Sequence, residues 1–401
     1  MSTDIFPPAA PASRLTQRRG EVAGFAGSSG GSASPRSTNA SGAASPHAGS
    51  TVDRSAAVPA LVGGNGVEPP KSSMALLRAW WRALPAWAGL VLLAAVVVVL
   101  VAVFLFTGVT GSWEFALTFR ARKIAVMVVV GAAIGASTVL FQTVTGNRIL
   151  TPSIMGFDAL YMLVQTVTVF FFGVTVLATA DPILQWTIQV ALMMACAVLL
   201  FRWVFGAAGR SLHLVLLVGL VVGVLFRSVT SLMQRMMDPT DFAVLQDASF
   251  ASFTTADPRL LAVSALVLIG CGIFLWRSCP RFDVVGLGEQ CAISLGVNYR
   301  WCTTRSILVI SLLVATSTAL VGPVTFLGLI AANLGYALVR TYRHVYTIPA
   351  AALVGVAFLV GGQLVLERVF GLTTALSIII EFVGGIVFVA LLLGGRRRSG
   401  V

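Results

Sequence analysis

Charged residues are scarce in this chain. They make up 10% of its 401 residues, where a soluble domain carries about a quarter. Histidine is scarcer still, with only His47, His213 and His344, far apart and away from any carboxylate cluster. The five cysteines, Cys196, Cys271, Cys279, Cys291 and Cys302, show no CxxC spacing, which argues against a zinc ribbon or a disulfide framework. Without clustered His, Asp or Cys, a membrane-bound enzyme has no obvious chemistry to offer, and no cofactor is expected. A metal that crossed this protein would arrive already chelated. No GxxxxGK[ST] sequence occurs, so ATP hydrolysis would need another chain. No apolar h-region lies near the N-terminus, so no cleaved signal peptide is expected.

What is abundant is apolar surface: 57% of residues are hydrophobic and the mean hydropathy is +0.92. Apolar runs recur from Ala88 to Leu393, several reaching the ~20 residues that one helix needs to cross a bilayer. Spanning segments must satisfy their own backbone hydrogen bonds, so they are helices or a closed barrel. Continuous rather than alternating runs select helices. The expectation is an all-α polytopic membrane protein. The net charge of +12 does not indicate nucleic acid, because the Arg residues stand singly between apolar runs without an aromatic stripe. They read as topology determinants.

Residues 1–71 are rich in Ser, Gly, Ala and Pro and cannot offset their ordering entropy, so a disordered cytoplasmic tail is expected there. The membrane domain would occupy 72–401. Lys71, Arg78 and Arg82 precede the first apolar run, and Trp80, Trp81 and Trp87 flank it. About ten spans follow, near 88–107, 124–145, 155–177, 183–205, 212–233, 260–276, 303–320, 323–338, 348–366 and 374–393. Gly131 and Gly135 are spaced for close helix contact, and Pro349 is placed in the first turn of its span. Arg in every inner loop puts both termini in the cytoplasm. The outer segments are acidic or nearly neutral, one carrying Asp238, Asp241, Asp247 and Asp257. The exceptions are Arg120 to Lys123, Arg235 with Arg259, and Arg368.

One polar island interrupts the pattern, Cys279 to Arg305, CPRFDVVGLGEQCAISLGVNYRWCTTR. An amphipathic helix from Val284 to Leu295 is expected within it, lying along the membrane and stopped by Gly296. Leu287, Ile293 and Leu295 would offer apolar contact and Glu289 a polar one, with Gly288 in the same stretch. Two readings stand: a docking helix for a separate ATPase, or an ordinary interfacial linker.

Four stretches then share a likeness. RARKIAVMVVVGAAIGASTVLFQ, TGNRILTPSIMGFDALY, LGEQCAISLGV and GPVTFLGLI resemble, in this order, motifs of the iron-chelate (FecCD-type) permeases of ABC importers. That family includes the vitamin B12 permease, and the branch resembled handles ferric catechol-type siderophores. Two departures stand out: Ala332 and Asn333 replace a Pro-His, and Ala375 to Ile379 replace Glu-Leu-Pro-x-Gly. The resemblance covers roughly Ala88 to the C-terminus. It implies the fold of the vitamin B12 permease, of the type II ABC importers. It implies a separate ATP-binding subunit seated on Val284 to Gly296. It also implies a second permease subunit, identical or different, an extracytoplasmic binding protein, and a ferric siderophore as substrate. Haem or a cobalamin is the alternative within the family.

The resemblance also assigns outer cations. Arg120 and Lys123 match its paired basic positions and Arg368 a third, which would dock acidic groups of the binding protein; snorkelling to headgroups is the competing reading. Within the spans, Arg227 and Glu381 are costly and need a reason. Either Arg227 lines the path of an anionic chelate, or it pairs with Glu381, or each simply snorkels or faces the bundle. An ion-coupled secondary transporter would want several buried carboxylates, and Glu381 and Asp158 are the candidates.

Overall fold

A computed structural model describes residues 85–107, 112–207, 212–253, 257–369, 371 and 376–396. The expected tail, the Trp80–Trp81 pair, Arg210, and Arg397 with Arg398 lie outside these residues. Among the described residues there are helices and no strand. In chain order they are α1 (Ala86–Phe106), α2 (Trp113–Thr145), a 3-10 turn (Pro152–Met155), α3 (Phe157–Phe172), α4 (Val174–Thr179) and α5 (Pro182–Ala207). Then come α6 (Leu212–Arg235), α7 (Pro239–Ala248), α8 (Pro258–Val285), α9 (Glu289–Ser294) and α10 (Tyr299–Val321). The last are α11 (Leu327–Val339), α12 (His344–Arg368) and α13 (Leu376–Arg396). Seven of them, α1, α2, α5, α6, α8, α10 and α12, are long and apolar enough to cross a membrane. Three more, α3, α11 and α13 over Leu376–Ala390, are apolar but shorter. The chain is an all-α polytopic membrane protein, and each expected span has its helix.

α2 is the hub, packing against α12, α10, α11 and α8. Glycine permits the closest of these contacts. A Cβ on Gly131 would lie 2.7 Å from the backbone nitrogen of Val356, so α2 and α12 approach backbone to backbone, as the spacing of Gly131 and Gly135 leads one to expect. Asp238 and Asp257 open α7 and α8 in the same way. Each carboxylate accepts a backbone N–H two residues on, from Thr240 and Arg259, and a proline follows at the first helical position. The Thr240 hydroxyl and backbone N–H hold the Asp238 carboxyl below its usual range.

Element boundaries depart from the sequence reading at five places. The polar link before the second span is helix, because nothing between Ser112 and Ile124 breaks one, and α2 runs for 33 residues. The third span is broken into the 3-10 turn, α3 and α4, with Gly156 and Gly173 at positive φ at the joints. α8 continues past Trp276 and through Pro280 to Val285, because Ser278, Cys279, Phe282 and Val285 are buried against the bundle. That burial offsets the hydrogen bond that proline removes. α11 starts four residues later than expected, after an irregular stretch that follows Gly322. α12 starts at His344, so Pro349 lies inside it rather than in its first turn.

Candidate functional site

Three polar regions interrupt the apolar bundle. The first joins α8 to α10. The expected twelve-residue helix from Val284 to Leu295 does not form as one piece. Val284 belongs to the last turn of α8 and is half-buried, and α9 is only Glu289–Ser294. Gly288, at φ 101°, makes the entry into α9, a conformation open to glycine and closed to proline. Gly296 follows the helix end at φ 80°, the stop expected of it. Ala292 is buried, while Leu287, Ile293 and Leu295 are about three-fifths exposed and Glu289 is exposed. The short helix and its flanks thus turn three large apolar side chains outward. Asn298 caps α10 by accepting from the Trp301 N–H, and the Arg305 guanidinium stacks 3.5 Å from the centre of the Trp301 ring.

The second region lies at the opposite end of α2. Arg120 donates to the carbonyls of Phe104, Leu105 and Thr107, satisfying the open C-terminal end of α1. Arg368, at the end of α12, donates to the same Thr107 carbonyl. Lys123 is buried, and its ammonium sits 2.5 Å from Glu367, which also accepts from Gln363. The three residues expected to face a partner are therefore brought together, but each is engaged within the chain. Lys123 is a buried ion-pair member rather than a surface cation, because Glu367 one turn above Gln363 neutralises it.

The third region is interior. Asp158, in the first turn of α3, accepts from the Thr325 hydroxyl at 3.3 Å. Glu381 and Arg227 form no ion pair among the described residues. Gly223 meets Gly156 backbone to backbone, with the Arg227 guanidinium close by. Beside Asp158 is a cavity of about 10 Å³, lined by hydroxyls that include Ser137, Thr138, Ser317 and Thr318. That is room for roughly one water molecule. Arg227 and Glu381 themselves are exposed on the outside of the single chain.

The chain matches the FecCD transport family over residues 86–394. It belongs to that family. Among FecCD-type relatives, it is 42% identical over 302 residues to the petrobactin import system permease protein YclO of Bacillus subtilis (strain 168), covering 75% of this chain and 96% of the relative. It is 34% identical over 290 residues to the petrobactin import system permease protein FatC of Bacillus anthracis, covering 72% of this chain and 81% of the relative. An inward-facing structure of a metal-chelate type ABC transporter has the same fold, with a TM-score of 0.68 at 22% identity over 77% of this chain and 99% of that one. Membership of the FecCD family makes this a transport protein of several membrane spans.

Sequence reasoning missed Thr325, Glu367 and a fourth group, Asp283, His344 and Thr143, that joins α8, α12 and α2. A signal for the last was present. His344 directly follows two arginines, Arg340 and Arg343, at the mouth of an apolar run.

Proposed function

We propose that the chain is the permease subunit of an ABC importer that carries a ferric siderophore across the cytoplasmic membrane. It does no covalent chemistry of its own. Energy enters from a separate ATP-binding subunit seated on Leu287 to Gly296 and the preceding Val284. The observation that carries this is α9: a six-residue helix hung between two spans on positive-φ glycines, with Leu287, Ile293 and Leu295 turned outward. Relatives that import petrobactin support the choice of substrate class. A second permease subunit, identical or different, closes the path, and Arg227 and Glu381 face it from this chain. An extracytoplasmic binding protein delivers the chelate at the end where Arg120, Lys123 and Arg368 cluster. There Arg368 is the exposed contact, and Arg120 and Lys123 hold the helix ends that frame it. Both termini lie on the α9 side, in the cytoplasm. The motor biases two conformations through contacts that differ between them.

An ion-coupled carrier is the second reading, and the two span carboxylates, Glu381 and the Asp158 held by Thr325 beside the break before α11, favour it. One experiment decides. The complex is reconstituted in liposomes and uptake is followed after ATP depletion or after collapse of the ion gradient. ATP dependence is expected. Uptake that follows the gradient and ignores ATP would replace this reading with the second. Gly288→Pro should leave the complex assembled and lower ATP-driven uptake by about tenfold or more, since proline cannot adopt φ 101°.

A further inference from the structure

Asp283 stands in the last turn of α8, and only three residues, Gly286 to Gly288, separate that helix from α9. Its Oδ1 accepts two hydrogen bonds from one residue: the His344 backbone N–H at 2.7 Å and the His344 Nδ1–H at 2.6 Å. A carboxylate only accepts, so Nδ1 carries the proton. His344 is the first residue of α12. The carboxylate therefore also meets the N-terminal end of that helix, where negative charge is favoured. The ring is buried, and the aromatic ring of Phe282, itself buried, braces it edge to face with centres 6.0 Å apart. The other ring nitrogen, Nε2, lies 2.7 Å from the Thr143 hydroxyl in the last turn of α2. The same hydroxyl lies 2.9 Å from the Val139 carbonyl one turn back in α2, and Tyr336 of α11 lines a cavity together with Thr143 and His344. A cavity of about 210 Å³ opens beside this chain of contacts and gives it room to rearrange.

One line of polar contacts, Asp283–His344–Thr143, thus ties the helix that carries α9 to α12 and α2, and Tyr336 brings α11 to the cavity beside it. Those three are the helices that pack most closely on one another through glycine. We infer that His344 is a positioning residue for transport: it passes displacement of α9, through Asp283, to the α2–α11–α12 core that must move when the path opens. This rests on the reading of α9 as the motor contact. The physical reason for a histidine is its reach. One planar ring serves two helices from opposite edges, so a shift of Asp283 turns the ring and moves its contact with Thr143. Apolar packing of the same size would let the helices slip.

The test uses the whole reconstituted importer with its ATP-binding subunit and binding protein. Uptake and ATP hydrolysis are measured together for His344→Ala, Asp283→Asn and Thr143→Val. The expected result is assembled complex with hydrolysis retained and about a tenfold rise in ATP consumed per chelate imported for His344→Ala. His344→Asn, whose amide can still donate to Asp283, should recover part of the coupling. If uptake and hydrolysis fall in parallel with the amount of folded complex, or the ratio stays unchanged, the inference is overturned. Should His344→Ala fail to assemble, Thr143→Val removes the Nε2 contact, together with the hydroxyl's bond to the Val139 carbonyl within α2, and decides in its place: a raised ratio supports the inference and an unchanged one overturns it. Gly288→Pro separates the two readings. If it leaves ATP-driven uptake intact, α9 is not the motor contact. If it uncouples while His344→Ala does not, only the role of His344 is lost.

Discussion

α2 and α6 are both apolar enough to span a membrane, yet 78% of the apolar stretch of α2 is buried inside the chain and 17% of that of α6. Apolarity alone does not say what covers a helix. α2 is covered by its own chain, at backbone contact with α12. α6 shows Leu217, Leu220, Val221, Val224 and Leu225 to the outside, and sets the exposed Arg227 among them. A cation on such a face is costly in lipid. It is reasonable on a face turned to a second permease subunit and the path between the two. Of the seven spans, α6 has the least cover from its own chain.

Substitutions on the two helices should break this contrast or sharpen it. The largest effect is expected for Gly135→Leu. A Cβ there would lie 2.4 Å from the Ala351 carbonyl oxygen, so the α2–α12 contact must open. A loss of about 3 kcal/mol or more, read as thermal unfolding of the purified permease, follows from overpacking against backbone. Next comes Lys123→Ala, which leaves Glu367 partly buried without its cation. The cost is about 2 kcal/mol, less than for a fully buried pair because Glu367 keeps some contact with water. The double variant with Glu367→Gln should recover most of it. On α6, Arg227→Gln should leave stability unchanged and slow uptake about tenfold, equivalent to about 1.4 kcal/mol in the transport barrier. Unchanged uptake would remove Arg227 from the path. The smallest effect is expected for Val221→Ala, within about 0.5 kcal/mol, because that side chain is about three-fifths exposed. A large loss there would mean that α6 is covered in the isolated permease after all.

Spans were legible in the sequence because a bilayer imposes one rule on every segment that crosses it. Run length and breakers therefore located the helices that carry Gly131, Gly135 and Arg227. Ends were less legible where tertiary burial overrode a local signal. Pro280 looks like a stop, but the buried Cys279 and Phe282 carry α8 past it. Charges were the least legible. Lys123, read alone, is an outer cation; the carboxylate that neutralises it, Glu367, lies 244 residues away. Arg227 and Glu381, read as a possible pair, form no ion pair among the described residues. Pairing across such separations follows from packing, which spacing along the chain does not encode. His344 belongs to the same class, since its two partners come from α8 and α2.

α2 and α12 are locked together twice. Lys123 meets Glu367 near one end, and Thr143 meets His344 near the other. The twenty residue steps from Lys123 to Thr143 rise about 30 Å along the helix, which is close to the thickness of the hydrocarbon layer of a bilayer. The helix pair is therefore a gauge of fixed length with a polar stop at each end. Lipids of shorter or longer acyl chain must thin, thicken or tilt around it, at a fraction of a kcal/mol for each Å of mismatch. Transport rate in bilayers of graded chain length should accordingly pass through a maximum where the layer matches the gauge.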